Sequence, residues 1–369
     1  MISGAASNSG GILRQTLLEL LRALVAVAAG LLLGASLTAI AGENPLNILA
    51  ILFRSAFGTP WDFGMSLFYA TPLIFTGLSV AIAFRAGLFN IGAEGQLTLG
   101  ALAAAVVGVT ATGVAAPWSL FLAVLAAMSA GFLWGGIAGV LKATRGSHEV
   151  ITTIMLNFVA AGIASFVTLE MFRNTETQNP ETLPVAASFA LKPLTMFEGA
   201  PTTVAFFWGI AAAGVVAFLL FKSVWGFGVR AVGQSEPAAL VAGINVRRVQ
   251  ITAMAVAGAV AGLAGLGEVL GSAGRFRLGF SADYGFMGIA VALLARGRPF
   301  AVILAAILFG ALHKGAADLD FETENVTRDL AVVLQASVII MVCADGVWDA
   351  IRDGLRRRRS TAIRAESAG

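Results

Sequence analysis

Apolar runs of 18 or more residues recur from one end of this 369-residue chain to the other. A run of that length crosses a hydrocarbon core of about 30 Å as a helix. The apolar runs fall at 17–41, 61–84, 90–111, 116–141, 150–171, 202–222, 250–271, 284–295, 299–317 and 329–346, and all but 284–295 reach that length. They are continuous rather than alternating, which argues against a membrane β-barrel. The chain is 58% hydrophobic and 12% charged, against about 45–50% and about 25% in soluble domains. The expected fold class is all-α: a polytopic membrane protein forming a single transmembrane domain over 1–369.

Two segments are short. "LNILAILFRSAFG" (46–58) reads as interfacial or re-entrant, and 284–295 would make only about 18 Å of helix. Positive charge arbitrates the second. If all ten runs cross from a cytoplasmic N-terminus, 17 of the 24 Lys and Arg residues fall inside and 7 outside. That is the direction the positive-inside rule requires. A re-entrant 284–295 would export the "RRRR" of the basic tail, 350–369. The expectation is about ten transmembrane helices with both termini cytoplasmic. The polar segment 172–201 is then external, 318–324 ("DLDFETE") is an acidic outer turn, and 223–249 is the longest inner connection. Arg14 and Arg22 ahead of an apolar run imitate a signal peptide, but the run is long for one and reads as a retained first helix.

Trp61, Trp118, Trp225 and Trp348 stand at run ends, where amphipathic rings favour the interface. Gly131, Gly135 and Gly139, and again Gly258 and Gly262, recur every fourth residue, a spacing that lets helix backbones approach closely.

Chemistry-bearing patterns are few. No Walker A, HExxH, CxxC or nucleophile-elbow pattern occurs. Cys343 is the single cysteine, and His148 and His313 form no ligand pattern. No metal or cofactor is expected on this chain, and an intramembrane enzyme would lack a convergent His, Ser or Cys set.

What stands out is polarity at membrane depth, which marks a pathway or a structural contact. "FNIGAEGQ" places Asn90, Glu94 and Gln96 between apolar runs; Thr152, Thr153 and Asn157 follow, then Glu268. Asn90 and Glu94 share a helix face, as do Thr153 and Asn157. Each could line a substrate pathway or simply bond a neighbouring helix. The inner connection holds "GQSEPAALVAGI", with Ser235 at a helix start, Glu236 and Pro237 in the first turn, and Gly243 at the end. The product is a short cytoplasmic helix with a smooth surface, suited to a partner's groove.

This segment resembles the coupling loop of ABC-importer permeases of the branched-chain amino acid, ribose and nucleoside type. The matching residues are Gly233, Glu236, Ala238, Ala239, Gly243 and Ile244. Ser235 stands where asparagine is usual, and Glu236-Pro237 inverts the usual order. "AFRAGLFNIGAEGQLTLGALAA", "HEVITTIMLNFVA", "AGAVAGLAGLGEVLG" and "DYGFMGIAVALLARGRP" resemble the same family in matching order, and "FNIGAEGQ" is similar to its nucleoside-type branch.

The resemblance implies two pseudo-symmetric halves, and the echo of "AIAFRAGLFNI" in "ALLARGRPFAV" is the one internal sign of them. It also implies a second permease copy, identical or related, and ATPase subunits that bind ATP and Mg and contact residues 233–244. An external substrate-binding protein or lipoprotein would deliver the substrate, and the location would be the bacterial plasma membrane. The function implied is nucleoside import by alternating access. Import of a simple sugar such as ribose, and ion-coupled secondary transport with Glu94 or Glu268 carrying a proton, are the rival readings.

Overall fold

A computed structural model of the chain describes residues 25–281, 283–323 and 329–343. The basic tail, Arg14, Arg22 and Trp348 lie outside them. Among the described residues the secondary structure is helical, with three isolated β-bridges.

The helices are α1 (Val25–Ile40), α2 (Pro45–Phe57), α3 (Pro60–Arg85), α4 (Ala93–Thr110), α5 (Trp118–Arg145), α6 (Glu149–Phe166), α7 (Ala205–Lys222), α8 (Val224–Gln234), α9 (Glu236–Val241), α10 (Val246–Gly262), α11 (Tyr284–Leu294), α12 (Pro299–Glu322) and α13 (Leu330–Cys343). π-helical turns follow α6 at Val167–Met171 and α10 at Gly267–Ser272. Among the described residues, seven helices are long and apolar enough to cross a membrane: α3, α4, α5, α6 with its π turn, α7, α10 with its π turn, and α12. The described parts of α1 and α13, together with α2 and α11, are apolar but shorter.

The chain divides into two compact units. In the smaller, α1 and α13 meet through glycines: a Cβ on Gly30 would lie 2.5 Å from Val338 Cα, and one on Gly34 would lie 2.7 Å from a Leu334 methyl. In the larger, residues 50–323, burial sorts the helices. The spanning windows of α3 and α10 are 83% and 78% buried, whereas those of α5 and α6 are 22% and 17%. The first pair, with α4, forms the centre; the second covers it and turns Phe132, Leu133, Phe158 and Phe166 outward.

Backbone contact sets the centre. A Cβ on Gly258 would sit 2.1 Å from the Gly131 carbonyl oxygen, and one on Gly135 would sit 2.4 Å from that of Met254. A Cβ on Gly262 would meet Ala127 O at 2.3 Å on one side, while one on Gly100 would meet Gly262 O at 2.3 Å on the other. Thus α4, α10 and α5 stack with no side chain between them, as the four-residue spacing predicts.

Two charged clusters lie at the end of the larger unit opposite α9. Lys314, within the apolar run 299–317, is on α12 and 3% exposed. It pairs with Asp62 at 3.4 Å and with Asp318, and lies 5.1 Å from the Trp61 ring. A buried cation needs such partners.

Residues 172–204 form a long connection stitched to 270–278 by backbone bonds, among them Thr182 N to Phe276 O (2.9 Å) and Leu278 N to Pro180 O (3.0 Å). Its centre is Glu181, whose side chain is 3% exposed and accepts from Arg275 at 2.8 Å, with Arg277 at 3.4 Å. Burial pushes the Glu181 carboxyl upward, but the Thr177 hydroxyl and the Arg275 guanidinium outweigh it and hold it below the ordinary carboxylate value.

We predict that Gly258→Ala forces α5 and α10 apart. The fraction of inserted protein eluting as one folded species in mild detergent should fall several-fold. Gly214→Ala, in a helix with open space around it, should be neutral or slightly stabilising, because glycine costs about 1 kcal/mol within a helix. We also predict that the Glu181 clamp is pH-dependent. A depressed carboxyl contributes stability above its unfolded value of about 4.3, and that contribution is lost as pH falls through the lower folded value. Hydrogen exchange at Phe276 and Leu278, corrected for intrinsic rates, should be slow at pH 6 and accelerate only below about pH 4.3. In Glu181→Ala it should already be fast at pH 6.

Candidate functional site

The site begins where α3 ends. Gly87 adopts φ +72°, and Leu88 N bonds back to Ala83 O at 3.0 Å, closing the helix with a left-handed cap. Six residues later α4 starts at Ala93, so "FNIGAEGQ" is the turn and first helical residues after a break between two buried spans.

Its two amides serve each other. Asn90 Nδ2 donates to Gln96 Oε1 at 2.8 Å and to Ser79 Oγ at 3.0 Å, and Gln96 Nε2 donates back to Asn90 Oδ1 at 2.9 Å. Both residues are buried. A buried polar group left unmatched would cost about 1–3 kcal/mol. The reciprocal pair removes that cost and locks the turn.

Asn157, on α6, holds the same turn from outside: its Oδ1 accepts from Gly95 N at 2.9 Å and its Nδ2 donates to Ile91 O at 3.0 Å. Thr153, one helical turn earlier, donates to Glu149 O and packs on Gly92. Thr152 donates to His148 O at 3.2 Å and touches none of this.

Glu94 does something different. Its Oε2 accepts from Gly285 N at 2.7 Å, in the first turn of α11. The starts of α4 and α11 therefore face each other, and the carboxylate sits on the second helix's exposed amides, where an anion is favoured. Beside it opens a cavity of about 210 Å³, lined by Glu94, Asn157, Thr98, Phe276, Phe280 and Ser281 among others.

Glu268 lies elsewhere, on the π-helical turn after α10. It lines a separate hollow of about 10 Å³ with Thr71, Thr203 and Tyr284, room for about one water. Phe280 borders both spaces. Of the seven polar residues singled out from sequence, Glu94 and Asn157 share a cavity, Glu268 has its own, and Asn90, Gln96, Thr153 and Thr152 do not line either.

The segment 273–281 supplies the walls that sequence reading missed. Phe276, Phe280 and Ser281 follow no periodic pattern; the only local sign was glycine, at Gly274 (φ +62°) and Gly279 (φ +74°).

Near the same end of α3 lies the short helix α9. Ser235 Oγ accepts from Ala238 N at 3.3 Å, Gly243 takes φ +79°, and Ile244 N bonds to Ala239 O at 3.0 Å. Glu236 accepts from Gln250 Nε2 of α10 at 2.8 Å. Ala239 faces inward, 3% exposed, against Val232 and Val246. Leu240 and Val241, 61% and 92% exposed, face outward with Ala238.

Gly233, at the end of α8, abuts α3: a Cβ there would sit 2.2 Å from Arg85 O and 2.9 Å from Gly87 N. The segment carrying α9 thus touches the turn that leads to Glu94.

Residues 63–343 match the family described as branched-chain amino acid transport system / permease component. The guanosine ABC transporter permease protein of Bacillus subtilis is 36% identical over 88% of this chain and 93% of its own length. The nucleoside ABC transporter permease protein NupB of Lactococcus lactis is 33% identical over 86% of this chain and 89% of its own. The glucose ABC transporter permease protein of Haloferax volcanii is 33% identical over 95% and 93%. The chain is a multi-pass membrane protein, and it belongs to the family of branched-chain amino acid transport system permease components.

Proposed function

We propose that this chain is the membrane permease subunit of an ATP-driven importer of nucleosides in the bacterial plasma membrane, with ten crossings and both termini cytoplasmic. Separate ATPase subunits hydrolyse ATP with Mg, a second permease subunit completes the path, and an external binding protein delivers the substrate. The guanosine and nucleoside permeases among its relatives support the substrate class.

The observation that carries the mechanism is the backbone contact of Gly233 with Arg85 and Gly87. An ATPase that grips Leu240 and Val241 moves α9. Through Gln250, Ala239 and Ile244 that motion reaches α8 and α10. Through Gly233 it reaches the turn whose amide lock, Asn90 with Gln96, positions Glu94 beside the cavity. Alternating access follows if the two arrangements of this turn open the path to opposite sides.

A sugar importer is the second reading, favoured by the glucose permease relative that matches 95% of the chain. Ion coupling has less support, because Glu94 is engaged with the start of α11.

We predict that Val241→Glu abolishes coupling without unfolding the loop, since the side chain has no packing partner to lose. In proteoliposomes holding the permease, ATPase and binding protein, uptake should fall at least tenfold while the permease remains inserted. Substrate-stimulated ATP hydrolysis should fall in parallel. Normal uptake and intact ATPase co-purification in that variant would remove α9 as the docking element. With ATP maintained, a proton uncoupler should leave wild-type uptake unchanged.

A further inference from the structure

We propose that the cavity at the start of α4 is a subsite for the paired hydroxyls of a ribose, with Glu94 and Ser281 as the residues that recognise them. The permease itself then distinguishes ribonucleosides from 2′-deoxynucleosides. This rests on the nucleoside reading above.

Five polar side chains line the cavity: Glu94, Thr98, Asn157, Ser165 and Ser281, with Ser165 on the α6 wall. Thr98 is committed to its own helix, donating to Glu94 O at 2.8 Å. Asn157 is committed to the turn on both sides, through Gly95 N and Ile91 O. Glu94 uses Oε2 for Gly285 N, and no described bond occupies Oε1. The Ser281 hydroxyl is buried beside that carboxylate and faces Glu94, which leaves the serine oxygen as an acceptor.

A carboxylate accepts and cannot donate, whereas a serine hydroxyl does both. Set side by side, they match two adjacent O–H groups, one donating to the carboxylate and the other to the serine oxygen. Hydrogen bonds to an ionised acceptor are roughly twice as strong as neutral ones.

The rest of the cavity fits the same ligand. Phe276 and Phe280, edge to face at 5.4 Å, give it an apolar aromatic wall for a planar ring or the carbon face of a sugar. Its volume of about 210 Å³ exceeds the roughly 150 Å³ that admits benzene in an engineered protein cavity. No lysine or arginine lines it, so a phosphorylated sugar would meet a carboxylate with no cation to offset the repulsion. A neutral, hydroxyl-bearing ligand is the one this lining accommodates.

The test uses the complete transporter in proteoliposomes, with ATP-driven uptake of radiolabelled guanosine and 2′-deoxyguanosine measured at saturating binding protein. The quantity read is the ratio of the two rates. Preferences of the binding protein cancel when wild type is compared with Glu94→Gln and Ser281→Ala. Glu94→Gln keeps an acceptor for Gly285 N, and Ser281→Ala removes one hydroxyl contact to Glu94 while leaving the backbone bonds of the turn in place, so at least one variant should assemble normally, as checked by ATPase co-purification. Wild type should favour guanosine, and the ratio should move toward one by at least threefold in both assembled variants. An unchanged ratio in an assembled variant, whatever the total uptake, overturns the subsite. If wild type carries neither nucleoside, the nucleoside reading itself falls, and the proposal with it. That result is distinguishable because it needs no variant.

Discussion

The centre of the larger unit depends on three helices touching backbone to backbone. Along α4, α10 and α5, glycines meet carbonyl oxygens so closely that a single methyl group would overlap an atom. In a membrane, apolar side chains gain little by leaving lipid for protein, so association rests on close van der Waals fit and satisfied polar groups. The stack supplies the first. It also fixes α4 in depth and rotation, and with it Glu94 and the amide pair at its start. The polar residues are tolerable only because the helices around them cannot drift.

Much of this was legible from residue spacing. The glycine periods of "GFLWGGIAGV" and "AGAVAG" identified the surfaces that meet, because a small residue at every fourth position has few other uses in a long apolar helix. The short helix in 233–244 was readable from its cap, first-turn proline and closing glycine. Its outward face was not. Ala239 and Ala238 are chemically alike in sequence, and only the packing against Val232 and Val246 separates the inward from the outward one. Asn90 and Gln96 present the same difficulty: a buried amide reads as a pathway group until its partner is located, and the partner is the other amide six residues away. The cavity wall at 276–281 lies in irregular backbone, where periodicity carries no information.

Charge follows its own logic at the end opposite α9. Lys314 is buried on α12, and Asp62, Asp318 and Trp61 surround it. Glu181 is likewise enclosed, by Arg275, Arg277 and Thr177. Counting charges by side of the membrane treats each as a free marker of topology, but these two clusters are structural pins. One joins α12 to the start of α3; the other fastens the 172–204 connection to the segment that walls the cavity.

The junction of Gly233 with Arg85 and Gly87 is made of main chain alone. Its closest atoms are a carbonyl and an amide, which stay the same whatever side chains stand on either side. In the transporter proposed above, cargo preference would reside in Glu94, Phe280 and their neighbours, and partner preference in Leu240 and Val241. Either set can change without retuning the joint between them. A molecule arranged this way is modular at the level of single residues. Its pocket could be rebuilt for a different solute, or its short helix for a different motor, while the same rigid hinge carried the stroke.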